Sequence, residues 1–127
     1  MEVILDTNFI MTCVKQKIDF FSDIETLGFK IIIPKQVLNE LKLVIRSRKK
    51  HHFRQDAELS LKIIESEKGN WKTVDLKKYG KNTDTGIKNF AEVHERVLVA
   101  TMDQELKRKI KNNKIVIRGM RKLDVVK

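Results

Sequence analysis

Cysteine, proline and glycine are all scarce in this chain, with one, one and five copies among 127 residues. A single cysteine, Cys13, excludes an internal disulfide, which leaves the hydrophobic core to hold the fold and suits a reducing compartment. Pro34 is the sole proline and no Gly/Ser-rich tract appears, so nothing reads as a linker. The expectation is one domain over residues 1–127. Long apolar runs are absent too. Ile31 to Ile33 and Val97 to Ala100 fall far short of the roughly 20 residues that cross a bilayer as a helix. The N-terminus lacks the basic and apolar regions of a signal peptide. These absences lead us to expect a soluble cytoplasmic protein with no membrane partner.

What is abundant is positive charge. Twenty-seven Lys and Arg oppose 17 Asp and Glu, for a formal net charge of +10. Such an excess attracts polyanions, nucleic acid first, although lysine-rich surfaces also serve solubility alone. The densest basic stretch holds Arg46, Arg48, Lys49, Lys50 and Arg54, with His51 and His52 among them. It reads as a phosphate-binding rim near the end of a helix or as a solvated loop between helices. Phe53 within it reads as packing rather than base stacking. The adjacent histidines have poor spacing for a transition metal, and no histidine near Cys13 suggests an activated thiolate. Trp71 reads as a core or edge residue, and His94 as partly buried.

Short β-branched runs alternate with helical patterns. Val3–Leu5, Phe29–Ile33, Trp71–Val74, Val97–Thr101 and Ile115–Ile117 read as strands, nearly continuously apolar, as strands covered on both faces are. Helical spacing appears at Ile18, Phe21, Ile24 and Leu27, with Gly28 as a stop. It returns after Pro34 at Val37, Leu41, Val44 and Ile45. Further helices are marked by Leu59, Ile63 and Ile64, by Ile87, Phe90 and Ala91, and by Leu106 and Ile110 before the Asn112–Asn113 break. Alternation predicts an α/β fold, a mostly parallel sheet with helices on both sides and right-handed crossovers.

Ligands of open parallel sheets bind beyond the carboxyl ends of the strands. Asp6 follows the first strand directly, and Asp103 lies just past the fourth. Glu40 sits beside Val37 and Val44 at the edge of a buried stripe. These three acids can converge near the first strand, and Asp84 joins them if its loop crosses that edge. Clustered carboxylates raise one another's pKa, and a hard cation such as Mg²⁺ or Mn²⁺ relieves the repulsion through oxygen ligands. A basic protein with one acidic pocket suits phosphodiester cleavage. Taken singly, each acid also has a plain role. Asp84 and Asp103 suit helix N-caps, worth about 1 kcal/mol each. Asp6 suits a strand-end turn and Glu40 a solvated helix face.

Four segments in order resemble the motifs of PIN-domain nucleases. These are Val3-Ile4-Leu5-Asp6-Thr7-Asn8-Phe9-Ile10, then Ile32-Ile33-Pro34 with Val37-Leu38-Asn39-Glu40-Leu41, then Asn82-Thr83-Asp84, then Ala100-Thr101-Met102-Asp103-Gln104-Glu105-Leu106. The resemblance spans nearly the whole chain and is nearest to compact archaeal-type PIN proteins related to the small-subunit processome PIN endonuclease; VapC-type toxins share the core. It implies a three-layer Rossmann-like domain with a five-stranded, mostly parallel sheet, and a Mg²⁺- or Mn²⁺-dependent endoribonuclease with Asp6, Glu40, Asp84 and Asp103 as metal ligands and catalytic acids. Asn8 and Thr101 would support them by hydrogen bonding. RNA would be the substrate, cut in rRNA or other RNA processing or by a toxin. A homodimer, an antitoxin or a ribosome-assembly partner is in keeping with the family. Thr85 departs from relatives that carry a further acid there, which bears on a second metal ion.

Two other classes of function compete. A non-catalytic RNA-binding factor in ribosome assembly fits the charge but not the retention of four acids. An aspartyl phosphatase needs an acid two residues after Asp6, where Asn8 stands. A phosphoacceptor receiver needs an acidic pair at the first strand and an acceptor at the third, where Asp75 is a weak candidate.

Overall fold

The computed structural model describes residues 1–119 and 121–127. Its elements run β1 (Glu2–Leu5), α1 (Thr7–Lys15), α2 (Phe20–Thr26), β2 (Lys30–Pro34), α3 (Lys35–Arg46), α4 (His51–Ser66), β3 (Trp71–Val74), α5 (Thr83–Val93), β4 (Leu98–Ala100), α6 (Gln104–Lys109), β5 (Lys114–Arg118) and β6 (Lys122–Val126). The strands form one sheet in the order β3-β2-β1-β4-β5-β6. Every pairing is parallel except β5 with β6.

Side chains along a strand alternate between faces, and the apolar strands use both. Val3, Leu5, Ile31, Ile33, Leu98 and Ala100 pack with α1 to α4, around Phe9, Phe20, Phe21, Ile24 and Leu41. Ile4, Ile32 and Val99 point the other way, onto Ile87, Phe90 and Ala91 of α5 and Leu106 of α6. Burial on both faces is why these strands lack a polar side. Fully burying one such side chain contributes about 1.5–3 kcal/mol.

All five expected strands are present. A sixth is added: β6 extends the sheet antiparallel to β5, with Lys114 opposite Val126. It is an edge strand with only Leu123 and Val126 half-buried, so it carries no apolar run. Helix α1 is also an addition, because its apolar residues follow the first strand with only Asp6 between. Asp6 caps it, accepting from the Thr7 amide at 2.8 Å. Pro34 ends β2 and precedes α3 without a side-chain cap, so the chain passes from strand to helix with no loop. The basic stretch is not one loop. Arg46 ends α3, Arg48 to Lys50 lie in the short connection, and His51 to Arg54 begin α4.

Trp71 is half-buried and donates from Nε1 to the Ile64 carbonyl at 2.9 Å. His94 is half-buried and stacks on Phe90 at 4.1 Å. Cys13 is buried, and burial pushes its thiol up to about 12, which leaves it inert as a nucleophile. Among the described residues no helix is long and apolar enough to cross a membrane.

Candidate active site

The four acids meet at the carboxyl ends of β1 and β4. The backbone fixes the first of them. The Asp6 amide donates to the Ala100 carbonyl at 2.9 Å, which carries the β1–β4 pairing one residue past the strand and sets Asp6 beside the end of β4. Asp6 is 4% exposed. One carboxylate oxygen takes the Thr7 amide, and the other takes the Thr101 hydroxyl at 2.8 Å. Thr101 is itself fully buried, and its Oγ1 also accepts from the Asp103 amide at 3.1 Å. One hydroxyl therefore links two of the acids.

Asp103 caps α6, its Oδ1 accepting from the Glu105 and Leu106 amides. The plain reading of this residue and the functional one describe the same carboxylate, with the cap fixing its position. Asp84 is different. The N-cap of α5 is Asn82, which accepts from the Thr85 amide at 2.9 Å, and Asp84 stands exposed in the first turn of that helix.

Glu40 is half-buried on α3, next to the buried Leu41. The Thr7 hydroxyl donates to its Oε2 at 2.7 Å, and the Thr83 hydroxyl donates to Oε1. Two side chains 33 residues before it and 43 after it thus fasten one carboxylate between α1 and α5. This clamp is one part of the site that sequence reading missed. Threonine at a helix start is common for other reasons, and the only available signal was that Thr7 and Thr83 each adjoin a candidate acid.

The acids sense one another. Burial pushes the Asp6 carboxyl up to about 6; the Thr101 and Thr7 hydrogen bonds work against this, and the charges of Asp84 and Glu40 add to it. The Asp84 carboxyl is also raised, first by desolvation, then by the charges of Asp103 and Glu40 and by a hydrogen bond with Asp103. Asp84 thus belongs with the other three, as the loop before α5 brings it across the sheet edge.

The donor set consists of carboxylate and hydroxyl oxygens without histidine or cysteine, chemistry that suits a hard divalent cation. As the side chains stand, among the described residues no three of His, Cys, Asp or Glu form a grouping that can hold a metal ion. The Glu40 carboxylate is engaged by Thr7 and Thr83.

Asn8 is exposed, its side chain makes no hydrogen bond to the acids among the described residues, and it lines a groove of about 470 Å³ with Thr7, Glu40 and Lys49. Arg46, Arg48, Lys49, Lys50 and Arg54 are all exposed. None stands in an ion pair among the described residues. Lys49 reaches the groove beside the acids. Other cations near the site escaped the sequence reading. Lys15 lines the same groove, and Lys88 and Lys109 line a small hollow with Asp84 and Asp103. Lys88 stands one helical turn from Asp84, a spacing visible in the sequence.

A family model described as PIN like domain matches residues 3–122 of the chain. The chain belongs to that family. Ribonuclease VapC4 of Methanocaldococcus jannaschii is 33% identical, in a match covering 94% of this chain and 90% of that protein. Among solved structures, the PIN domain endonuclease Utp24 superposes with a TM-score of 0.73 at 27% identity, covering 99% of this chain and 96% of that one. VapBC2 from Rickettsia felis, bound to a DNA fragment from their promoter, has a chain that matches with a TM-score of 0.62 at 20% identity, covering 90% and 98%. That last likeness concerns the fold alone. The matched range includes Asp6, Glu40, Asp84 and Asp103.

Proposed function

We propose that this PIN-like protein is a Mg²⁺- or Mn²⁺-dependent endoribonuclease that hydrolyses RNA phosphodiesters. The observation that carries the reading is the convergence of Asp6, Glu40, Asp84 and Asp103 at one end of the sheet, with two of them raised by burial and by their neighbours' charge. The similarity to Ribonuclease VapC4 and to the Utp24 endonuclease supports the same reaction.

A divalent cation held by these acids would supply a water activated at neutral pH and charge compensation at the phosphate. The chain's own residues do the rest. Asp6 presents a carboxylate held by Thr101, Asp103 one held by the Glu105 and Leu106 amides, and the threonine clamp holds Glu40 beside them. Lys15 and Lys49 would meet the flanking phosphates, with the cations between α3 and α4 as an outer rim, whereas Lys88 and Lys109 pair with Glu92 and Glu105 and would have to exchange those partners to join them. Attack by water with departure of the 3′ oxygen leaves a 5′-phosphate and a 3′-hydroxyl. Product-end analysis tests this directly. A 2′,3′-cyclic phosphate would contradict it, because that product requires the RNA's own 2′-hydroxyl as nucleophile.

The biological role we propose is RNA processing or a VapC-like toxin with an antitoxin partner, the latter supported by the likeness to VapC4. Copurification of a short protein that inhibits cleavage would favour the toxin. A second reading, an RNA-docking factor that does not cut, rests on the lack of a three-ligand grouping among the described residues. RNA binding that survives EDTA, with no cleavage under any metal, would favour it.

A further inference from the structure

The groove beside Glu40 has features that phosphate binding alone does not use. It lies between α1, α3 and α4, holds about 470 Å³ and shares Thr7 and Glu40 with the acidic centre. A volume of this size falls within the roughly 300–1,000 Å³ of sites that enclose small flat ligands. Its apolar lining comes from Met11, Val44, Met102 and Phe53. Phe53 is 40% exposed, so part of its ring is open at the groove. The His52 ring lies against it with centroids 4.3 Å apart and a 37° tilt. Exposed Lys15 and Lys49 border the same groove, and Asn8 and Asp56 offer polar groups within it.

We infer that this groove seats one unstacked nucleobase of single-stranded RNA, next to the phosphate positioned at the acidic centre. The inference rests on the ribonuclease reading and adds a base-binding subsite, walled by Phe53, beside its acidic centre. An apolar wall with an exposed ring provides a stacking surface open to any base. The two lysines meet the phosphates on either side, and continuity with Glu40 puts the base a short step from the scissile bond. A paired base is already stacked and cannot enter, so an RNA duplex is excluded. The sequence reading of Phe53 as packing gives way here, because the ring stands at the groove and not in the core.

Binding is measured with the full chain carrying Asp6→Asn, which holds RNA uncut, in Mg²⁺ and at one fixed salt concentration. The probe is a fluorescent single-stranded oligoribonucleotide containing 2-aminopurine, with its duplex for comparison. Adding Phe53→Ala is expected to weaken single-strand binding by about 5- to 100-fold and to abolish the 2-aminopurine signal, while Phe53→Trp restores both. Circular dichroism of each variant checks folding, and the Trp rescue guards against a merely structural effect. Equal affinity for duplex and single strand, with no effect of Phe53→Ala, would overturn the inference and leave the groove for a protein segment. The two readings separate cleanly. A parent protein that never cuts RNA, with binding still dependent on Phe53, removes the nuclease and keeps the base seat. Cleavage at the parental rate by Phe53→Ala removes the base seat and keeps the nuclease.

Discussion

Asp6 shows at the residue scale how the site sets function against stability. Its carboxyl is raised to about 6 by burial, whereas an unfolded aspartate titrates near 3.9. The native state therefore holds the proton more tightly. Its stabilising effect is complete below about pH 4 and is lost as pH rises through about 6, a difference of about 3 kcal/mol. Urea unfolding in EDTA should show the parent losing stability over that window relative to Asp6→Asn, which should be the more stable protein at pH 7 by about 1–3 kcal/mol. A variant less stable than the parent at pH 7 would contradict this. Thr101→Val tests the neighbouring bond. It removes a donor that lowers the Asp6 pKa, so the pH midpoint of cleavage should move upward, with a stability loss of about 1–3 kcal/mol. Asp6, Asp103 and Glu40 were legible, because each sits at a strand end or at the edge of a buried stripe, whereas Asp84, exposed in the first turn of α5, was legible only through the motif resemblance. The threonine clamp on Glu40 was not, since the targets of Thr7 and Thr83 lie 33 and 43 residues away and no local pattern encodes such distances.

At the scale of elements, the start of α5 decides whether Asp84 reaches the others. Gly86 lies one turn into that helix, where an added Cβ would come within 2.9 Å of the Leu76 Cβ. The missing side chain lets α5 settle on the segment after β3 and brings Thr83 to Glu40. Gly86→Ala should destabilise the fold by about 1–3 kcal/mol through overpacking and reduce cleavage further than the stability loss explains. Thermal unfolding and cleavage assayed together check both parts, and an unchanged melting temperature would refute the packing argument. The runs of β1, β2 and β4 became strands because apolar residues on both faces leave few other ways to be buried, whereas β3 is an edge strand with Lys72 and Thr73 exposed, not covered on both faces as expected. Strand β6 stayed hidden because an exposed edge needs no apolar run, and α1 because its stripe begins directly after Asp6. Asn112 read only as a turn, yet its side chain is buried and donates to the Ala91 and Val97 carbonyls at 3.1 and 2.8 Å, tying the end of α5 to the start of β4.

For the whole molecule, a net charge of +10 surrounds a cluster of four carboxylates. In the proposed reaction the cations attract the RNA, and the acids act only where it is held. Binding should accordingly weaken steeply with salt, by about tenfold or more between roughly 50 and 200 mM if several phosphates are contacted. Reversing Lys49 and Lys50 to Glu should flatten that slope while leaving product ends unchanged. Composition made the polyanion preference legible. The path of the RNA was not, because the basic stretch turns out to span two helices and the link between them, with Lys49 alone of the five shown at the groove.

The central claim is that the four acids form one metal-dependent cutting site. Its most direct test is cleavage of a labelled structured RNA in Mg²⁺, Mn²⁺ or EDTA, by the parent and by Asp6→Asn. The account predicts cutting by the parent with either metal, none in EDTA, and none by the variant although it is folded. Cutting at the parental rate by a well-folded Asp6→Asn protein, or undiminished cutting in EDTA, would contradict it.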